Sequence, residues 1–254
     1  MKETLKSVAR KILKKINRVI FLRKILTNNF TSPYIALGEK RGYAVLPHNW
    51  TLIDINDADI NINLSLENLP FKSSSKTMIY SSHFFEHIKL EDAKRLLNEC
   101  YRVLKKNGIL RIEVPNFKKV LEFYKNKDYD NLDRLQFSNI KADYHEIVTG
   151  MAANYIKDGK HTPLKSDKDT FEQIIKSDDI DKIGNWCVES LTLEQKNTFG
   201  HQSFFYFEKL KDLLSNSGFL EITESSLNNS IFNKRIPFER KGREFYSIVV
   251  ECKK

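Results

Sequence analysis

The sequence predicts an α/β fold built on one mostly parallel sheet with an antiparallel strand pair at its C-terminal end. The segment 78–116 runs from an apolar strand through an amphipathic helix to a second apolar strand. A helix between two strands is typical of a right-handed crossover, which makes the strands parallel. Short apolar runs upstream predict further strands of the same sheet. Two late apolar segments, 220–227 and 245–252, are predicted to pair antiparallel.

Residues 1–29 are predicted to form a basic amphipathic helix. Apolar residues recur at helical spacing from Leu5 to Ile20, with lysines and arginines opposite them. Residues 1–30 hold nine basic residues against Glu3 alone, so this segment carries nearly all of the net charge of +9. The remainder of the chain is close to neutral.

Three interpretations of this basic helix stay open. In the first, the helix packs on the body of the protein or on a second subunit. The second-subunit arrangement would make the protein a homodimer. In the second, the helix lies on an anionic membrane surface through residues 1–27, with the aliphatic stripe inserted. In the third, it binds nucleic acid, which is not expected because no aromatic residue interleaves the basic ones before Phe21.

Four strands are predicted before the first helix of the body. They cover 34–38, 50–56, 59–64 and a run beginning at Met78, each bounded by polar or turn residues. In parallel sheets of this kind, ligands bind beyond the carboxyl ends of the strands. We therefore expect the functional site around residues 81–87 and 115–117.

The helix after this fourth strand begins near Leu90. Its predicted inward face consists of residues at three- and four-residue spacing, namely Ala93, Leu96, Leu97, Cys100, Tyr101 and Leu104. Lys105, Lys106 and Gly108 are predicted to close it, since cations suit the last turn and glycine can adopt the left-handed conformation. The next strand is predicted at 109–114.

Asn116 is predicted to cap a helix that follows this strand. From residue 125 to 200 the pattern is interrupted, with frequent charged residues and several short helices predicted. A connection of this length is unusual in a compact sheet, so we expect a helical cap inserted over the strand ends. The sheet domain would then comprise residues 30–124 and 201–254, including a helix at 207–217 that Gly218 ends.

Composition restricts the class of protein further. Hydrophobic residues make up 41% and charged residues 30% of the chain, and no stretch approaches the roughly 20 apolar residues that span a bilayer. No signal peptide is visible, and Cys100, Cys187 and Cys252 are odd in number and widely spaced, which is typical of reduced thiols. We expect a cytoplasmic protein, peripheral at the inner membrane surface if its basic helix binds lipid. No metal site is predicted, because the histidines and cysteines lack paired ligand spacing.

Three segments of the sequence resemble a known family. They are LPF at 69–71, IYSSHFFEHI at 79–88 and LLNECYRVLKKNGILRIEVPN at 96–116. These segments resemble the Rossmann-like, class I S-adenosylmethionine-dependent methyltransferases, above all the small type-11-like members often encoded with surface-polysaccharide genes. The resemblance implies methyl transfer from S-adenosylmethionine to a small or sugar-containing acceptor in capsule or lipopolysaccharide biosynthesis. The alternative is a methyltransferase-like binding or scaffold protein without catalysis.

The resemblance also implies where the cofactor binds. Gly38 matches the first glycine of the turn after strand one, and Lys40 stands where the family usually has a second glycine. Lys40 either binds the cofactor carboxylate or fills the pocket. Asp54 matches the acid that binds the ribose hydroxyls, Asn63 and Leu64 match the residues near the adenine, and Ser82 lies where the chain passes the cofactor.

Proton transfer during methylation needs a titratable side chain near the acceptor. His83, at the carboxyl end of strand four, and His201, where the cap rejoins the sheet, are the predicted catalytic residues. His145, in the cap, is a weaker candidate. Glu86 and His87 are predicted to belong to the framework at the start of the helix.

Overall fold

In the part of the chain that the structure describes, seven strands form one mostly parallel sheet, which confirms the predicted fold class. This computed structural model describes residues 32–40, 49–136, 142–234, 236–237 and 241–254. The strands are β1 (Tyr34–Leu37), β2 (Trp50–Asp54), β3 (Ile60–Asn61), β4 (Lys76–Ser82), β5 (Leu104–Pro115), β8 (Leu220–Ser225) and β9 (Ser247–Lys253). Their order is β3-β2-β1-β4-β5-β9-β8, and β9 runs antiparallel to both of its neighbours.

The predicted basic helix at 1–29 lies outside the described residues, as do its proposed membrane and subunit contacts. Among the helices that the structure describes, none is long and apolar enough to cross a membrane.

Strand β3 has two residues, whereas the sequence pattern predicted a strand over 59–64. Asparagine side chains accept hydrogen bonds from nearby backbone N–H groups in this segment. Asn61 Oδ1 accepts a hydrogen bond from Ala58 N at 3.0 Å, and Asn63 Oδ1 accepts one from Ser65 N at 3.0 Å. Asn and Asp side chains of this kind offer the backbone a turn instead of a ladder. The segment therefore forms only a two-residue strand, although its apolar residues alternate over 59–64.

The first helix, α1 (Leu90–Val103), ends earlier than predicted, and β5 begins at once with Leu104. The prediction that Lys105, Lys106 and Gly108 close the helix is wrong, because all three belong to β5. Asn107 takes the left-handed conformation, with φ of 62°. Gly108 is needed for space, because a Cβ at this position would lie 2.8 Å from the carbonyl oxygen of Lys105.

Helix α2 (Phe117–Lys125) follows β5, and the Asn116 side chain accepts from Lys119 N, which confirms the predicted cap. The next elements are α3 (Tyr129–Arg134), α4 (Tyr144–Ala152), α5 (Lys168–Ile175), α6 (Ile180–Glu189), α7 (Leu193–Lys196) and the hairpin β6 (Asn154–Lys157) with β7 (Lys160–Pro163). They pack around an apolar cluster of their own, in which Ile147, Phe171 and Ile183 are fully buried. The hairpin was not predicted.

The sheet is covered differently on its two faces. Helices α1 and α8 (Phe207–Asn216) pack on one face, where Ile79 and Leu97 are fully buried. Tyr80, the neighbour of Ile79 in β4, faces the other side and is buried with Phe232. Because successive side chains of a strand point to opposite faces, β4 is buried on both sides and lies at the centre of the sheet. Its carboxyl end is thereby held in a fixed position.

Candidate functional site

A cavity of about 490 Å³ opens at the carboxyl ends of β1 and β4. Five of the predicted site residues line it, namely Gly38, Lys40, Ser82, His83 and His201. Elements of the predicted cap close it from the other side with Arg134, Gln136 and Asn154. The cavity thus lies where an open α/β sheet binds its ligands.

Gly38 is the residue at which β1 turns into this cavity. Its φ is +72°, a conformation that side chains rarely adopt. A Cβ at this position would also lie 2.5 Å from the Cβ of Phe84. Both the backbone and the packing therefore require glycine here.

Asp54 ends β2 as predicted and is 8% exposed. Its Oδ1 accepts a hydrogen bond from Ile55 N. Burial raises the pKa of Asp54, and the charge of Lys40 acts in the opposite direction. Asp54 lies outside the residues that line the cavity. Lys40 lines the cavity and also interacts electrostatically with the Asp54 carboxylate, so Asp54 lies near the cavity.

Asn63 and Leu64 have local structural contacts and also lie outside that lining. Asn63 Oδ1 accepts from Ser65 N, as described above, and the Leu64 side chain is buried in the core under the sheet. The carbonyl oxygen of Leu64 accepts from Arg95 Nη2 at 2.6 Å.

Ser82 and His83 belong to a buried polar network at the end of β4. Ser82 Oγ donates to Glu113 Oε2 at 2.8 Å. His83 has a φ of 48°, a strained conformation for this residue and one that is concentrated at functional sites. Its Nδ1 lies 3.1 Å from Glu86 Oε1 and its Nε2 lies 3.0 Å from Ser247 Oγ. The ring is therefore held at both nitrogens.

Three histidines from separate segments meet beside this network. The ring centroids of His87 and His201 are 4.9 Å apart, and His161 lies 5.5 Å from the first and 5.6 Å from the second. All three line the cavity, together with Glu86. Nothing in their spacing along the chain foretells this cluster, because only the fold joins residues 86–87 to 161 and 201.

Burial sets the charge state of the innermost members of the cluster. It lowers the pKa of His201 to about 3, so this imidazole is neutral at physiological pH. Burial acts to raise the pKa of Glu86, but contact with His83 and the nearby imidazoles outweighs it and holds the pKa at about 2. The site therefore pairs a buried carboxylate with a neutral imidazole. His145 lies elsewhere in the cap, with its Nε2 bonded to the carbonyl oxygen of Ser166 at 3.0 Å.

Residues 43–112 match the family model described as a methyltransferase domain. The order of the strands and the antiparallel β9 agree with the sheet that the sequence resemblance implied. The match covers just over a quarter of the chain, and over this stretch the chain is similar to methyltransferase domains.

Solved structures of S-adenosylmethionine-dependent methyltransferases are similar to this chain over most of their length. The protein from Thermotoga maritima is 16% identical, over 95% of this chain and 91% of that one, with a TM-score of 0.42. The protein from Methanosarcina mazei is 15% identical, over 91% and 96%, with a TM-score of 0.45. The protein from Archaeoglobus fulgidus is 13% identical, over 96% and 98%, with a TM-score of 0.43. At this level of similarity they carry no argument about the acceptor.

The geometry of the cavity fits S-adenosylmethionine, the cofactor that the sequence resemblance implies, in three respects. The volume of the cavity lies within the roughly 300–1,000 Å³ of small-molecule sites. The left-handed turn at Gly38 leads the backbone along the cavity, and Ser82 follows at the end of the neighbouring strand. Lys40 adds a cation at the cavity wall. An amino acid carboxylate, such as that of the cofactor, is complementary to this cation.

Proposed function

We propose that this protein is an S-adenosylmethionine-dependent methyltransferase that modifies a small, sugar-containing acceptor made for a cell-surface polysaccharide. One observation supports the proposal most. A single cavity is lined both by the cofactor-side residues Gly38, Lys40 and Ser82 and by the polar side chains of Arg134 and Arg243. Sugars carry many hydroxyl groups, and a site rejects competitors best when its buried polar groups pair with such hydroxyls. A polar wall of this kind suits a hydroxylated acceptor better than an apolar one.

We assign separate tasks to the residues on the cofactor side. S-adenosylmethionine supplies an electrophilic methyl group, so the protein has to hold the acceptor in line and remove a proton. Lys40 binds the cofactor carboxylate, and Asp54 accepts hydrogen bonds from the ribose hydroxyls. Ser82 fixes the end of β4 through Glu113.

His83 is the better of the two predicted proton acceptors. Glu86 at Nδ1 favours the tautomer in which Nε2 carries the lone pair, and Ser247 Oγ can donate to that nitrogen. A base held by a neighbouring carboxylate is a recurrent arrangement in enzymes. His201 has a pKa of about 3, which makes it a weak base at neutral pH.

Transfer of a radiolabelled methyl group from S-adenosylmethionine to a panel of nucleotide sugars and free glycosides tests the proposal. We expect labelled product with at least one sugar-containing acceptor, and a kcat about 100-fold lower in His83→Gln. The matched control is His145→Gln, a buried histidine outside the cavity, which should keep the wild-type rate. Label that enters no sugar-containing acceptor, or an unchanged rate in His83→Gln, would contradict the assignment.

The second candidate is a methyltransferase-like binding protein without catalysis, which the lysine at position 40 favours. The two functions differ in what Lys40 does. If Lys40 binds the cofactor carboxylate, Lys40→Gly should weaken S-adenosylhomocysteine binding about 10-fold, because a charge-assisted hydrogen bond is lost. Tighter binding in Lys40→Gly would mean that the lysine fills the pocket, and would favour the binding protein.

A further inference from the structure

The three clustered histidines share one hydrogen-bonding arrangement. The Nδ1 atom of each lies at hydrogen-bond distance from an oxygen that can only accept. These oxygens are Phe199 O for His87 at 2.9 Å, Asn154 Oδ1 for His161 at 3.0 Å and Met151 O for His201 at 3.0 Å. A carbonyl oxygen accepts a hydrogen bond and cannot donate one, so each Nδ1 carries the ring proton. Each neutral ring therefore presents its Nε2 as a lone pair.

Asn154 fixes the orientation of two of these rings. Its Nδ2 donates to Gly150 O at 2.8 Å, and its Oδ1 also accepts from the backbone N of His201 at 3.0 Å. These two contacts determine which end of the amide is the oxygen. His161 must then donate from Nδ1, and the same amide holds the backbone of His201. Asn154 itself is 1% exposed.

Glu86 brings a carboxylate to the same place. It is 1% exposed; its Oε1 lies 3.1 Å from His83 Nδ1, and its Oε2 has no hydrogen-bond partner among the described residues. Buried carboxylates without hydrogen bonds are costly. Ligand atoms of Glu86, His87 and His201 all lie within 4.8 Å of one another. A cation placed among them would satisfy all three side chains at once.

We propose that Glu86, His87 and His201 bind a divalent transition metal ion, with His161 at the exposed opening of the site. Histidines that ligate metals through Nε2 characteristically donate Nδ1–H to a carbonyl or carboxylate oxygen, which is the arrangement of all three rings. Two ligand atoms on one tetrahedral zinc ion, each about 2.1 Å from it, lie about 3.4 Å apart. The ligand atoms here lie within 4.8 Å of one another, so side-chain shifts on the order of 1 Å would close the site.

The ligand types narrow the choice of metal. Imidazole nitrogens with one carboxylate oxygen suit zinc and neighbouring first-row ions, and do not suit calcium or magnesium, which prefer oxygen ligands. Two histidines and one glutamate leave a fourth position open, as in catalytic zinc sites. Glu86, His87 and His201 all line the cavity, so a ligand in the cavity could reach this position. If the proposed function holds, an acceptor hydroxyl would bind there and its pKa would be lowered.

Metal binding alone tests this proposal, without cofactor or acceptor. The untagged full chain is stripped with a chelator and titrated with Zn²⁺ against a chromophoric competitor, and Co²⁺ is added to a second sample. We expect one equivalent of Zn²⁺ per chain and the strong visible absorption of four-coordinate Co²⁺. The affinity should fall about 100-fold in both His201→Gln and Glu86→Gln.

The matched control is again His145→Gln, which should bind Zn²⁺ like the wild type. The absence of Zn²⁺ binding by the folded wild-type chain would overturn the proposal. An unchanged affinity in both His201→Gln and Glu86→Gln would overturn it as well. The Co²⁺ spectrum is recorded on the wild type, so it tests the site even if a variant fails to fold. Failure of methyl transfer would not alter either result, and the two proposals can therefore fail separately.

Discussion

Gly38 combines two constraints that are separable by mutation. Its φ of +72° disfavours any side chain, and a Cβ would collide with Phe84. Gly159 has the same φ of +72°, but a Cβ there would meet nothing within 4 Å, so this position isolates the backbone cost. We expect Gly38→Ala to lower the free energy of unfolding by about 3 kcal/mol and Gly159→Ala by about 1 kcal/mol, measured in urea. Equal losses would show that Phe84 yields to the added methyl group.

His201 predicts how stability depends on pH. The unfolded histidine titrates near its ordinary pKa of 6.5, whereas burial lowers the folded value to about 3. The unfolded chain therefore binds more protons between these values, and stability is lost as the pH falls through this window. We expect a slope of up to about 1.4 kcal/mol per pH unit below pH 6.5, measured by urea unfolding.

The His201→Gln variant should flatten this slope between pH 6.5 and 4.5. Glu86→Gln serves as the comparison, because the carboxyl group has an ordinary pKa of 4.5 and a folded pKa of about 2. The contribution of Glu86 to stability is lost only as the pH falls below about 4.5, so the slope between pH 6.5 and 4.5 should persist in Glu86→Gln. A wild-type slope in His201→Gln would contradict the buried, neutral state of this ring.

At the scale of single residues, the sequence could point to the residues on the sheet side of the cavity. Gly38, Ser82 and His83 follow strand ends, and strand ends can be located from apolar runs. Glu86 and His161 were missed as site residues, because their partners come from distant segments. No local sequence pattern indicates that the hairpin of β6 and β7 brings His161 to the cavity at the carboxyl end of β4.

At the scale of elements, the antiparallel edge depends on a buried ion pair. Arg111 in β5 and Glu251 in β9 are register partners, and Arg111 Nη1 lies 2.9 Å from Glu251 Oε1. Both side chains are 1% exposed. Removal of one partner leaves an uncompensated buried charge, so we expect Glu251→Ala to lower the free energy of unfolding by about 3–5 kcal/mol.

The exposed pair of Lys118 and Glu208 provides the control for this prediction. Its side chains are 43% and 58% exposed, and the ion pair is 3.1 Å long. Solvent screens such a pair, so Glu208→Ala should cost less than about 1 kcal/mol in the same unfolding experiment. Similar losses in Glu251→Ala and Glu208→Ala would mean that the buried pair does not hold the edge of the sheet.

Element boundaries were predicted less well than the elements themselves. The helix beginning at Leu90 was found, but its end was placed too late, because the apolar spacing continues through Leu104 into β5. The hairpin of β6 and β7 had a signal that could have found it. Asp158 and Gly159 form its turn with φ of 51° and 72°, and an Asp-Gly pair is a strong indicator of a two-residue hairpin.

At the scale of the whole molecule, two of the apolar cores belong to the two groups of elements that line the cavity. One belongs to the sheet and its covering helices, and the other to the elements predicted as the cap. The sequence predicted the sheet because each strand and helix has its own periodicity. For residues 125–200 the sequence showed only that the periodic pattern of the sheet domain is interrupted. The packing of the short helices there depends on contacts between distant residues, which no local pattern encodes. Cap residues such as Asn154 could therefore not be assigned to the site beforehand.

The cavity is the proposed binding site of S-adenosylmethionine. A calorimetric titration of the full chain with S-adenosylhomocysteine examines that assignment without any assumption about the acceptor. We expect one binding site per chain, with affinity at least about 10-fold weaker in Asp54→Ala, because the ribose hydroxyls lose a charged acceptor. No detectable binding of S-adenosylhomocysteine by the folded wild-type chain would contradict the assignment.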